Sequence, residues 1–302
     1  MFYIGNPGLF MSPYTWYNHL KGCVKMKIGF IGGGIMGLPM ALNLKKGGYD
    51  VTLYNRTYEK IKPYEDQIQV VKTLDELVKD KDIIFTIVGY PSEVEALYFE
   101  LFKKVKPGAI LVDMTTSSPK LAKRLYLEGK KHQLKLLDSP VTGGDKGAIN
   151  GTLSIMVGGD ETAFNLVLPL LKTIGKTITY MGESSNGQTM KLANQIVIAS
   201  NIVGIAEAIT FAKDNNLDLN KALDVINGGS AQSWQAQNNG PKMVIKDYKP
   251  GFYIKHFIKD LRLAIDEMGT TLPNLLQVEA LYTKLNQMDL GTQAIIEAYI
   301  QH

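Results

Sequence analysis

The fold class this sequence predicts is a doubly wound α/β sheet followed by an all-α domain, and three observations predict it. Short apolar runs alternate with amphipathic stretches from residue 26 to about 181. A glycine-rich turn joins the first run to the first amphipathic stretch. After Gly182 no strand-like run returns.

The apolar runs lie at 27–31, 51–54, 83–88, 109–113, 134–137, 153–157 and 177–181. The stretches 35–46, 74–79 and 94–102 between the first four have helical spacing, which together gives the βαβ rhythm of a parallel sheet covered on both faces. Gly47-Gly48 and Pro107-Gly108 suit the return from a helix to the next strand. The later runs are denser in strand, so a mixed sheet edge is expected there. Beyond the loop Ser184-Ser185-Asn186-Gly187, residues 188–214 fit one helix of about 40 Å at 1.5 Å per residue. Further helices are expected over 220–227, 233–246, 255–268, 275–287 and 292–299. The long helix is apolar on most sides (Ile196, Val197, Ile198, Ile202, Val203, Ile205) and is expected to be the buried spine of the second domain. Asn194, Gln195, Asn201 and Glu207 interrupt it too often for a membrane span. The expected division is 1–25, a poorly ordered extension ahead of the natural-looking start Met26-Lys27-Ile28-Gly29-Phe30; 26–184, the cofactor domain; and 185–302, the helical domain.

Composition narrows the function. With 45% hydrophobic and 21% charged residues among 302, the chain reads as soluble and globular. A net charge of +4 comes from 33 basic and 29 acidic residues mixed along the sequence. No dense basic block interleaved with aromatics gives a nucleic-acid footprint. Cys23 is the only cysteine, which excludes an intrachain disulfide and a thiolate metal site and fits a cytoplasmic setting. His19, His132, His256 and His302 lack metal-ligand spacing, so no metal is expected. Trp234 reads as a core or interface residue. Gly228-Gly229-Ser230-Ala231-Gln232 is not a hydrolase nucleophile elbow.

Gly32-Gly33-Gly34-Ile35-Met36-Gly37 matches G-x-G-x-x-G between a strand and a helix. There the glycines serve the tight turn, backbone approach to a pyrophosphate and helix–strand packing, the signature of a Rossmann-type dinucleotide site. Gly32, Gly34, Ile35, Met36 and Gly37 are therefore cofactor candidates, with Val88 at the end of the third apolar run. NAD sites usually place an acid at the end of the second strand to hold the ribose 2′-hydroxyl. Here that strand ends Tyr54-Asn55-Arg56-Thr57. Arg56 suits a 2′-phosphate, and Asn55 and Thr57 suit hydrogen bonds to it, so NADP is expected, with NAD as the alternative.

The motif continues as Gly37-Leu38-Pro39-Met40-Ala41-Leu42-Asn43, and the stretch resembles the opening of the β-hydroxyacid dehydrogenase family, which includes 3-hydroxyisobutyrate dehydrogenase and tartronate semialdehyde (2-hydroxy-3-oxopropionate) reductase. Four more segments match in order: Asp113-Met114-Thr115-Thr116-Ser117-Ser118-Pro119; Asp138-Ser139-Pro140-Val141-Thr142-Gly143-Gly144; Gly187-Gln188-Thr189-Met190-Lys191-Leu192-Ala193-Asn194-Gln195; and Lys259-Asp260-Leu261, preceded by Phe252. The resemblance implies that Thr116 and Lys259 contact the cofactor. It implies that Thr142, Gly143 and Gly144 hold a substrate carboxylate, and that Phe252 and Asp260 close the site. It makes Lys191 the acid–base residue, with Asn194 and Gln195 on the same helix face orienting its ammonium or binding the substrate oxygen. A helix starting near Asn186 and burial between domains both disfavour a cation at Lys191, which suits a proton donor working near neutral pH. Gly33 stands where the family often has Leu, a change expected only to loosen the phosphate turn. Ser185-Asn186-Gly187 replaces the usual Gly-Ala/Ser-Gly.

The expected activity interconverts a small carboxylate-bearing β-hydroxy acid and its semialdehyde, in a homodimer or homotetramer. An imine reductase is the enzymatic rival, but usually lacks a lysine where Lys191 stands. A catalytically silent NADP-binding regulator is the rival from another class. A 6-phosphogluconate dehydrogenase would need a larger helical domain.

Overall fold

The computed structural model describes residues 26–300, so the expected extension 1–25 lies outside the described residues. The first strand, β1 (Lys27–Ile31), is apolar enough to be buried on both faces, with only Lys27 exposed. Around it the chain builds α1 (Gly37–Lys46), β2 (Asp50–Tyr54), β3 (Gln69–Val71), α2 (Leu74–Val78), β4 (Ile83–Thr86), α3 (Pro91–Lys104), β5 (Ile110–Asp113), α4 (Pro119–Lys131) and β6 (Lys135–Asp138). Then follow β7 (Val141–Thr142), α5 (Gly144–Asn150), β8 (Leu153–Gly159), α6 (Glu161–Ile174) and β9 (Gly175–Gly182). The strand order β3-β2-β1-β4-β5-β6 is the parallel, doubly wound arrangement, which reverses direction between β1 and β4. The mixed edge is real: β8 runs antiparallel to β6 and β7 and parallel to β9. One face of the sheet packs on α1 and α6 through Met40, Leu44, Val167 and Leu171. The other packs on α2, α3 and α4 through Leu77, Tyr98, Leu101 and Leu125.

β3 and β7 were not expected, because three- and two-residue strands carry no measurable alternation. The amphipathic helices α4 and α6 were likewise not singled out. Helix α1 starts at Gly37 rather than at residue 35, leaving Gly34–Met36 in the turn.

The chain after β9 is helical. Its elements are α7 (Asn186–Asp214), α8 (Leu219–Gly228), α9 (Trp234–Asn238), α10 (Gly240–Val244), α11 (Ile254–Glu267), α12 (Pro273–Leu285), a 3-10 turn over Thr292–Ile296, and α13 (Glu297–Ile300). The helix expected over 233–246 is broken at Asn239, because Pro241 supplies no N–H to an unbroken helix. The C-terminal stretch expected as one helix is half 3-10. Leu192, Ile202, Ile205, Ile209, Phe257, Leu261, Val278 and Tyr282 form the helical core.

Helix α7 is long and apolar enough to reach across a bilayer, but it is the core helix of this half. It is not covered all round, as its composition suggested. Val197 is 58% and Phe211 70% exposed, and Met190, Ala193 and Gly204 share that side. Apolar composition does not say which faces find a neighbour.

Candidate active site

The carboxyl ends of β1, β4, β5 and β7 and the first turns of α7 open onto a cleft of about 1450 Å³, at the point where the sheet reverses its strand order. That is where open α/β sheets bind ligands. Every candidate cofactor, substrate and catalytic residue named above lines this cleft: Gly32, Gly34–Gly37, Asn55–Thr57, Val88, Thr116, Thr142–Gly144, Lys191, Asn194, Gln195, Phe252, Lys259 and Asp260.

At one end the glycine turn is pinned from below. The Gly32 N–H donates to Tyr54 O, and a Cβ at Gly37 would collide with the Gly32 carbonyl oxygen. Gly34 faces open space, and among the described residues the N–H groups of Gly34, Ile35 and Met36 find no acceptor. A run of free amides over an uncovered glycine is a cradle for an anionic diphosphate. Gly33 does not loosen the turn. Its N–H donates to Asn55 Oδ1 at 2.9 Å, and a Cβ there would strike Ile61, so glycine is the residue that lets Ile61 pack beneath the loop.

Asn55 is used twice by the backbone, since its Nδ2 also donates to Thr57 O at 2.8 Å, and so it shapes the loop. The Arg56 guanidinium is 82% exposed and pairs with Glu93 Oε1 at 3.0 Å. The other oxygen of Glu93 accepts from Gly89 N and Tyr90 N at the start of α3. Glu93 was not foreseen, because 37 residues separate it from Arg56 and only the strand order brings them together.

At the centre, Lys191 is 5% exposed one turn into α7, and donates to Gln195 Oε1 at 2.9 Å. Gln195 donates to Asp260 Oδ2 at 2.8 Å, and the other Asp260 oxygen lies 3.0 Å from Lys259 Nζ. Lys259 donates to Thr116 O at 2.6 Å. These links tie the ammonium, through α11, to the loop after β5. Burial lowers the Lys191 pKa to about 8; the Asp260 charge works against that shift and the Lys259 charge with it. Asn194 donates to Gln195 Oε1 at 3.1 Å and reaches Thr142 Oγ1 at 3.4 Å.

The helix carrying Lys191 is fastened to the sheet. Asp138, at the end of β6, accepts from Ser185 N and Gln188 N at 2.8 and 2.9 Å. The fully buried Gln188 amide accepts from Ser117 N and donates to Thr115 O. Thr115 is buried and its hydroxyl accepts from Val88 N, whereas Thr116 is half-buried at the cleft. Burial pushes Asp113 and Asp138 up to about 6. At the mouth, Tyr90 beside α3 meets His256 on α11, whose ring also stacks on Phe252, with centroids 5.6 and 6.5 Å away. Trp234 is neither core nor hidden: it is 52% exposed and lines the cleft.

Comparison with known proteins agrees with this geometry. Residues 27–182 match the family described as the NAD binding domain of 6-phosphogluconate dehydrogenase. Residues 185–300 match the one described as NAD-binding of NADP-dependent 3-hydroxyisobutyrate dehydrogenase. The oxidoreductase YkwC of Bacillus subtilis (strain 168) is 42% identical, covering 92% of this chain and 100% of its own. The 2-hydroxy-3-oxopropionate reductase of Escherichia coli (strain K12) is 38% identical over 85% of this chain and 90% of its own. The structure of Mycobacterium tuberculosis 3-hydroxyisobutyrate dehydrogenase with L-serine superposes with a TM-score of 0.85 at 29% identity, covering 92% of this chain and 100% of that one. With the strand order, the glycine cradle and both family matches in agreement, the chain belongs to the 3-hydroxyisobutyrate dehydrogenase-like family of NAD(P)-dependent oxidoreductases.

Proposed function

We propose that the protein interconverts a small β-hydroxy acid and its semialdehyde with NADP, and that Lys191 carries the proton. The observation that supports this most is the buried Lys191 ammonium at the centre of the cleft, with one hydrogen bond to Gln195 and a pKa of about 8. A donor whose pKa lies near the working pH is both available and reactive. When bound, the nicotinamide supplies or accepts the hydride. Thr142, Gly143 and Gly144 hold the carboxylate, with Asn194 steadying the Thr142 hydroxyl. Lys191 donates a proton to the carbonyl oxygen in reduction and removes it from the hydroxyl in oxidation. Gln195 and Asp260 fix where that proton sits, and Lys259 holds the Thr116 loop.

Gly34–Met36 would hold the diphosphate and Arg56 the 2′-phosphate. Arg56 must then share its fork between the phosphate and Glu93. Glu93→Gln keeps an oxygen for the α3 start and removes the competing charge. It is expected to raise kcat/KM for NADPH relative to NADH about 5-fold, roughly 1 kcal/mol. Arg56→Ala should erase the preference instead; steady-state rates with both cofactors check both outcomes.

The substrate class is tested by following NADPH and NADH oxidation with glyoxylate, tartronate semialdehyde, methylmalonate semialdehyde and succinate semialdehyde. Turnover with NADPH on at least one is expected. A preference for NADH contradicts the role given to Arg56. Silence on all four with NADPH bound favours a substrate outside this panel or a cofactor-binding regulator. The uncovered side of α7, with Val197 and Phe211, is proposed to pack on a second copy in a homodimer or homotetramer. Phe211→Asp, away from the cleft, is expected to lower the sedimentation coefficient to that of a monomer.

A further inference from the structure

In the helical half the lining of the cleft also includes polar side chains that the site described above does not use. Gln235, Asn239 and Lys242 stand four and three residues apart across α9 and α10, and all three line the cleft. Asn239 keeps right-handed helical angles (φ −95°, ψ −34°) between the two helices, so this spacing puts the three on one face. The adjoining stripe of the same helices is anchored: Ala236 is 0% and Met243 2% exposed within the helical core.

Gln235 is 5% and Asn239 9% exposed, yet among the described residues neither side-chain amide has a hydrogen-bond partner, and Lys242 has no carboxylate. Other buried glutamines here are all employed. Gln188 bridges α7 to the loop after β5, Gln195 joins Lys191 to Asp260, and Gln293 donates to Asp247 O and Lys249 O. The amide atoms of Gln235 and Asn239 are not sealed from the cleft, so their hydrogen-bonding capacity is open to a ligand there. No acidic residue of α7, α9 or α10 lines the cleft, so the Lys242 charge is uncompensated from these helices. Amide donors beside an unpaired ammonium suit an anion better than a hydroxyl.

We propose that Gln235, Asn239 and Lys242 form a second polar subsite for an anionic group on the far end of the substrate, which makes the preferred substrate a β-hydroxy acid bearing a second carboxylate. This rests on Lys191 and Thr142–Gly144 being the reaction centre.

The test compares 3-hydroxyisobutyrate with 2-(hydroxymethyl)succinate, in which a carboxymethyl group replaces the methyl and the reacting end is unchanged. Binding of each to the full chain saturated with NADP+ is measured by calorimetry, with turnover in parallel. The wild type is expected to bind the dianion at least about 10-fold more tightly, the factor that corresponds to 1.4 kcal/mol. Lys242→Met and Gln235→Leu should abolish that preference while leaving affinity for 3-hydroxyisobutyrate within about 2-fold, since each removes the polar group and keeps comparable bulk. Equal wild-type affinity for the two acids overturns the subsite, as does an equal loss on both in the variants. So does a changed sedimentation coefficient without changed selectivity, which would mean that a second copy covers the stripe. If the dianion binds preferentially and neither acid is oxidised, the subsite stands and the assigned reaction falls. If neither binds, both fall.

Discussion

Lys191→Ala is expected to lower kcat by about 10³-fold in both directions, within the range usual for losing a positioned acid–base group, while NADPH still binds. The residue sits among Gln195, Asp260 and Lys259 and is almost wholly screened from water, so no bulk-solvent donor replaces it directly. Removing a buried amine that lacks a carboxylate in direct hydrogen-bond contact should leave the fold standing, and thermal melting checks that. Lys191→Met gives the same loss without opening a cavity. Cofactor binding, read by NADPH fluorescence, separates a catalytic defect from a general one. A variant that keeps wild-type kcat removes Lys191 from the mechanism.

The second large effect is expected at Gly37. A Cβ there meets the Gly32 carbonyl oxygen and lies 2.7 Å from the Ile87 side chain, so the glycine turn must move to accommodate it. Gly37→Ala should weaken NADPH binding about 100-fold, the scale of losing one or two hydrogen bonds to a charged group. It should also cost roughly 1–3 kcal/mol of stability through overpacking. Gly34→Ala is the informative contrast. Its Cβ meets nothing in the protein, so the melting temperature should hold while cofactor binding falls. Fluorescence titration and melting of the two variants check this, and a Gly34→Ala variant that binds NADPH like the wild type would mean that the turn does not carry the diphosphate.

Much of this site was legible because its signals are local. The strand, glycines and helix of residues 27–46 are contiguous, and the motif around Lys191 keeps its partner Gln195 one helical turn away. What was not legible depends on chain separation and on which faces are covered. Glu93 reaches Arg56 only because β1 lies between β2 and β4, and Gln188 reaches Ser117 across 71 residues. Asn55 reads as a phosphate ligand in sequence, and that reading does not show that the backbone also uses its Oδ1 and one Nδ2 proton. Gln235 and Asn239 read in sequence as ordinary polar helix residues. Their place on the cleft gives them meaning, and no pattern of one helix states which polar face will line a site. The same blindness, with opposite sign, made α7 seem covered on all sides while Val197 and Phe211 stay exposed.

The most direct test of Lys191 as the proton carrier is the pH dependence of kcat/KM in both directions. Burial places its pKa at about 8. Below that value the ammonium is the acid that reduction needs; above it the free amine is the base that oxidation needs. Reduction of the semialdehyde should therefore fall as pH rises through about 8 while oxidation of the hydroxy acid rises. Lys191→Ala should flatten both limbs. Profiles that stay flat through this range in the wild type, or that keep their shape in the variant, would contradict the account.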